Sequence, residues 1–345
     1  IDVPSAFFQT VLYTGNGSDG YSITNDGNSD LQPDWLWFKN RNDTQVHQLF
    51  DTNRGIANAL RSNATTVENT DDPNDRLTAI NSDGFTLGDD GNPNTNSNTY
   101  VCWQWKANGG TTASNSDGDI TSTVQANTTA GFSIVTYTGN GNDGDTVGHG
   151  LSGNWDLCIL KNRGQTDYWT FSTTGTNQVL LLHDNVNQAN HSTAYMTKAS
   201  GVIGLVNAGD LGMVNNSSEN YVAYVFKEVQ GYSKFGNYTG NGNADGAFVY
   251  TGFKPAWVMA KRTDSGSSNW MMFDSKRDTF NVMDSYVVAH ADQAEADFNF
   301  VDFLSNGFKW RHTSGHANAS GGTYVYMAFA ERPFVTSKGV PTTAR

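Results

Sequence analysis

Two short stretches of this sequence set an acid three residues ahead of an arginine: Asp51 with Arg54 in FDTNRG, and Asp274 with Arg277 in FDSKRD. At a strand end that spacing most simply makes a structural ion pair. The sharper alternative is carbohydrate contact, in which Asp and Asn side chains hydrogen-bond a sugar while an aromatic ring stacks on it. Trp37, Trp169, Trp270 and Trp310 vary from one part of the chain to another, and are expected to be the exposed rings that would do so.

Other chemistry has fewer candidates. Glycoside hydrolysis needs two carboxyl groups about 5 to 10 Å apart. The only glutamates are Glu68, Glu219, Glu228, Glu295 and Glu331, and none belongs to an alternating acid motif that would aim several carboxyls from one strand into a cleft. His312 and His316 have zinc-ligand spacing, but the intervening TSG reads as a loop rather than a helix, so they read as surface histidines. No G-x-S-x-G elbow occurs, and Cys102 and Cys158 have no adjacent base. GNGNDG and its relatives lack the lysine and the following helix of a phosphate loop, and read as turns.

Calcium is the one cofactor suggested, by the oxygen-rich loops at 69–75, 88–98, 116–119 and 142–145. No EF-hand spacing accompanies them, and solvated turns are the simpler reading. No catalytic residue and no metal ligand is assigned, and the expectation is a protein without enzymatic activity.

The elements that would position these residues come in a repeating order. YTGNG occurs at 13–17, 137–141 and 238–242. A strand ending in lysine follows each time: PDWLWFKNR, NWDLCILKNR and KPAWVMAKR. A second aromatic strand comes next, then a glycine-punctuated pair such as NSDGFTLGD or LSNGFKWRH. Each set closes on an aromatic strand: TYVCWQWKA, NYVAYVFKE and TYVYMAFAE.

Short alternating runs between Gly, Asn and Asp clusters predict strands joined by turns. The expected architecture is all-β, as three tandem β-sandwich repeats of jelly-roll or lectin-like type, each about 100 residues long. They are placed at 1–108, 132–230 and 231–335, with a linker at 109–131 and a tail at 336–345. The linker predicts a looser hinge between the first two units than between the last two. Trp35, Trp155 and Trp257 are read as equivalent core positions, and 281–298 as a short helix or an elaborated loop. The closing strands carry apolar residues on both faces, which predicts that both faces are covered.

Bulk properties narrow the partners. A net charge of −13, with only 21 scattered Lys and Arg, argues against nucleic acid. No apolar run reaches the ~20 residues of a membrane helix. Two cysteines inside strands are expected as buried free thiols. The chain begins at Ile1, which reads as a processed product or a piece of something longer.

The combination of YTGNG, PDWLWFKNR, FDTNRG, SDGFTLG, ITSTVQANTTAGFSIVTYTGNG, GYSKFGNYTGNGNADGAFVYTGF and NASGGTYVYMAFAERPF resembles a domain of uncharacterised function repeated in virion structural proteins of marine bacteriophages, of tail-fibre or capsid-associated type. The likeness runs from Pro4 to Phe334. It implies a virion-surface or extracellular protein, a fibre, spike or capsid decoration, whose partners are other virion proteins and copies of itself, trimeric by analogy. A host cell-surface glycan is the implied ligand. The alternatives are a subunit of a cellular extracellular filament and a carbohydrate-active enzyme. The middle set departs from the pattern, with Ser172 and Gly175 read at the positions of the Asp–Arg pair.

Overall fold

A computed structural model describes every residue except 71–75, 90, 191–193, 208–211, 337 and 342–345. Among the described residues the regular secondary structure is nearly all strand; the helical elements are a 3-10 turn at Pro4–Ala6 and one short turn at Gly91–Asn94.

In the first segment of the chain the main sheet runs Phe8–Thr14, Thr99–Trp105, Trp35–Asn40, Gln48–Asp51, and a smaller sheet runs Tyr21–Ile23, Gly84–Leu87, Leu77–Asn81. Leu36, Phe38, Phe50, Tyr100 and Cys102 pack with Ile23, Phe85 and Leu87 of the smaller sheet to fill a sandwich core. The second segment is built likewise. Its main sheet centres on Leu157–Asn162, Asn220–Phe226 and Phe132–Thr138, and its smaller sheet runs Thr146–Gly148, Val202–Val206, Tyr195–Ala199. In the third segment the two layers are joined into one eight-stranded sheet, through Met271–Asp274, Met283–Val288 and Ala296–Leu304.

The opposite faces of the three main sheets meet one another. Trp35, Trp105, Ile134, Tyr224, Phe226, Trp257 and Phe329 belong to a single buried cluster drawn from all three segments. Trp35 stacks on Tyr224 at 4.3 Å between centroids, Phe8 on Phe329 at 5.2 Å, and Trp105 meets Trp257 edge-on at 5.7 Å. This is why alternation along the strands is apolar/apolar: one face fills a sandwich and the other the shared centre.

The YTGNG motifs have a common structural cause. Tyr13 stacks on Tyr100, Tyr137 on Tyr221 and Tyr238 on Tyr324, at 5.1, 5.0 and 4.8 Å. Asn94, Asn215 and Asn318 are buried, and each accepts the backbone N–H of the motif's asparagine at 2.9 Å. A Cβ on Gly15, Gly139 or Gly240 would lie 2.3 Å from a carbonyl oxygen. Gly17, Gly141 and Gly242 take φ of +64°, +79° and +67°, where L side chains are strained. Glycine is required at both places by geometry, and these loops are turns.

Three expectations change. In the sheet registers Trp35 faces Trp105, Leu157 faces Phe226 and Trp257 faces Phe329. Leu157 is therefore the counterpart of Trp35 and Trp257. Trp155, two residues earlier, is buried in the sandwich core of its own segment. The stretch 109–131 is not a loose hinge: it contributes the strands Ala113–Asn115 and Ser122–Asn127 to the second main sheet, and Asn53 of the first segment donates to Thr123 O and Ile134 O. Residues 281–298 hold the strand Met283–Val288 and the start of Ala296–Leu304, not a helix.

Candidate functional site

Asp51 and Asp274 end their strands on the face toward the shared centre. Oδ1 of each accepts the backbone N–H three residues on, at 2.8 Å, and Oδ2 accepts Nε–H of Arg54 or Arg277. All four side chains are fully buried. Arg54 also donates to Leu49 O, Asn58 O and Glu68, while Arg277 donates to Met272 O and Glu295. These are ion pairs with their hydrogen-bonding capacity spent inside the protein.

Each network crosses to a neighbouring segment. Tyr224 of the second segment donates its hydroxyl to Asp51 at 2.7 Å, and Trp103 of the first donates Nε1–H to Asp274 at 3.0 Å. Arg163 grips Glu68 through Nε and Nη2 (Nη2 at 2.7 Å), and Arg41 grips Glu295 the same way. Burial alone would lower the pKa of Arg54, but Asp51 and Glu68 beside it more than offset this and hold it above its ordinary value. Burial pushes Glu68 up, yet hydrogen bonds from Arg163 and the charge of Arg54 leave it below the usual range.

A second set of bonds marks the same seams. Trp169 Nε1 donates to Arg61 O at 2.8 Å and Trp270 Nε1 to Leu181 O at 2.9 Å, while His47 Nε2 meets Val288 O at 3.1 Å. Trp37 donates to His47 Nδ1, so that nitrogen is unprotonated and Nε2 carries the hydrogen given to Val288. First reaches to third, second to first and third to second, so the sequence of contacts closes on itself. Lys39, Lys161 and Lys261 lie buried at the matching strand ends, each donating to backbone carbonyls. Burial lowers all three to about 8.

The third seam differs at every ionic position. Backbone bonds Glu68 N to Arg163 O, Glu295 N to Arg41 O and Gln188 N to Thr263 O identify the counterparts. Gln188 replaces the glutamate and Thr263 the arginine. By strand face Thr173, rather than Ser172, stands where Asp51 and Asp274 do. Met327 faces Met259 where Trp103 faces Trp37 and Tyr224 faces Ile159. The acid, its cross-seam donor and the outer pair are lost together. A cleft of about 290 Å3 lies here, lined by Gln178, Gln188, Asn237, Thr263, Thr323 and Val325 among others. At the first seam the corresponding recess, about 260 Å3, is lined by Glu68 and Arg163.

Of the residues expected at a ligand surface, Asp51, Arg54, Asp274 and Arg277 have their side chains buried in seams. Trp37, Trp169, Trp270 and Trp310 are also buried, contrary to the expectation of exposed rings: the first three point into the shared centre and Trp310 into the core of the third segment. The exposed aromatic rings are Tyr168, Phe248, Tyr250, Phe280 and Phe298. Sequence reasoning passed over these rings, and also Gln188 and Thr263; the signal for the latter two was their departure from Glu and Arg at matched positions. His312 is half-buried against Phe298 and Phe300, and His316 Nδ1 accepts Asn269 N–H. Among the described residues no group of three or more His, Cys, Asp or Glu is arranged to hold a metal ion. The oxygen-rich loops at 69–75 and 88–98 lie partly outside the described residues. No described helix is long and apolar enough to cross a membrane.

No curated protein and no solved structure matches the chain. A family model described as a domain of unknown function, DUF7483, matches residues 3–333. The match spans nearly all of the chain, which therefore belongs to the DUF7483 family.

Proposed function

We propose that this chain is a non-enzymatic structural protein of a virion surface (a fibre, spike or capsid decoration), built from three copies of one β-sandwich and presenting its outer loops to host glycans. The observation that carries this reading is where the converging charges go. The members of the Asp51–Arg54–Glu68–Arg163 network are bonded to one another across one seam, and those of the Asp274–Arg277–Glu295–Arg41 network across another. Buried, paired charges at interfaces favour one arrangement of parts over others, which suits a rigid building block. The remaining glutamates are also engaged: Glu228 with Lys234, Glu331 with Lys254, and Glu219 with Gln165.

The three stacked tyrosine pairs and the matched seam bonds support the reading of three copies. A rigid body carrying many turn-rich loops serves display, because loops vary freely over a fixed scaffold. Contacts with other virion proteins and with further copies of the chain would use that outer surface. Immunogold labelling of purified virus particles with antibody to this chain tests the proposal. Gold on the particle surface is expected; label confined to particle-free filaments or to soluble material would overturn it.

A further inference from the structure

The cleft at the third seam combines two features that the other seams lack. Its lining carries amide and hydroxyl groups without a charge, from Gln178, Gln188, Asn237, Thr263 and Thr323, beside the apolar Val325. It also lies where four matched positions have changed together: Glu to Gln188, Arg to Thr263, Asp to Thr173, and the aromatic donor to Met327. Loss of a single member of a buried ionic network would leave an unpaired charge costing about 3–5 kcal/mol. Loss of all its members removes that penalty and leaves a neutral recess.

From this we infer that the third-seam cleft binds a single neutral pyranose unit of a glycan. Its volume, about 290 Å3, is at the small end for ligand pockets and suits one sugar ring rather than an extended chain. Side-chain amides both donate and accept hydrogen bonds, and hydroxyls do likewise, which matches a ring of sugar hydroxyls. Val325 offers a small apolar contact for the C–H face of the sugar. A charged sugar would find no counter-ion in this lining. In the cleft Thr263 Oγ1 is bonded to Thr323 Oγ1 at 2.7 Å and Gln188 Nε2 reaches Gln178 O at 3.5 Å, neutral bonds that a sugar hydroxyl can replace. Glu68 and Arg163 at the first seam are instead held as an ion pair, and that recess is not expected to bind. The inference deepens the display reading by naming a site and a ligand class.

Saturation-transfer NMR with glucose, galactose, mannose and N-acetylglucosamine as probes tests it on the full chain. Transfer to the ring protons of at least one sugar is expected. Gln188→Glu with Thr263→Arg copies the first-seam pair into the cleft, and Asn237→Leu installs the residue found at the matching place, Leu12. In either variant that retains the native circular dichroism spectrum, the Kd obtained by titrating the transfer against sugar concentration should rise by about tenfold, or 1.4 kcal/mol. Absence of transfer to all four sugars in the unaltered chain, or an unchanged Kd in both folded variants, would overturn the inference. Particle labelling is independent of this result, so failure of the cleft and failure of the virion reading are distinguishable.

Discussion

The hydroxyl of Tyr224 lies 2.7 Å from Oδ2 of Asp51, which at the same time accepts the Arg54 guanidinium. This bond joins residues 173 positions apart and ties the second segment to the first. Tyr224→Phe removes the donor and leaves the ring stacked on Trp35. A buried acceptor losing one partner costs about 1–3 kcal/mol. Urea unfolding should register that loss, while Met327→Leu at the matching place in the third segment should cost less than about 1.5 kcal/mol.

Removing a guanidinium should be more severe. Arg54→Ala strands Asp51 and leaves Glu68 with Arg163 alone, and the same logic applies to Arg277→Ala. Each should lower unfolding free energy by about 3–5 kcal/mol. Thr263→Ala, at the seam without a network, should change it by under ~1 kcal/mol. Equal costs at both places would contradict the distinction between the seams.

Stability should depend on pH in two windows. Burial lowers His149, His183 and His290 to about 4, and Nδ1 of each accepts a backbone N–H. Between pH 6.5 and about 4 the unfolded chain therefore binds protons that the folded chain refuses. Stability present above pH 6.5 is lost across that window, by about 1–3 kcal/mol per histidine. Lys39, Lys161 and Lys261, lowered to about 8, give the same sign in a higher window. The unfolded chain keeps their protons up to about 10.5, so these groups add stability as pH rises from 8 toward 10. Unfolding midpoints measured from pH 4 to 9.5 check both limbs; a maximum near pH 5 would contradict them.

All nine tryptophans and both cysteines are buried. Native protein should therefore show blue-shifted tryptophan emission resistant to acrylamide. A thiol reagent should modify neither Cys102 nor Cys158 until denaturant is added, since burial raises both thiols above their ordinary pKa. Prompt labelling of either thiol would place its strand at the surface.

The all-β class and the turn role of YTGNG were legible because glycine, asparagine and alternating aromatics act locally. The faces were not. Trp37 sits on a strand that is apolar on both sides. The other face of the Trp169 strand, Thr170 and Ser172, is polar yet also buried, so alternation cannot tell a solvent face from a second covered one. The shift from Trp155 to Leu157 is one full strand period, so the pattern looks alike in either register, and only pairing with Phe226 decides it. The Glu68–Arg163 contact joins residues 95 apart, and nothing local in either marks the other. What could be read, and was not, is that Thr263 and Gln188 break the pattern at matched places.

The central claim is that three segments share one core and unfold together. Calorimetry of the full chain beside residues 109–230 produced alone, which keeps the strands Ala113–Asn115 and Ser122–Asn127 of the second main sheet, tests it most directly. The account predicts one cooperative transition for the full chain. It predicts that the excised segment, with Leu157, Ile159, Phe171 and Tyr224 uncovered, aggregates or binds hydrophobic dye without a sharp transition. Separate transitions in the full chain, or an excised segment that melts cooperatively at the parent's temperature, would contradict it.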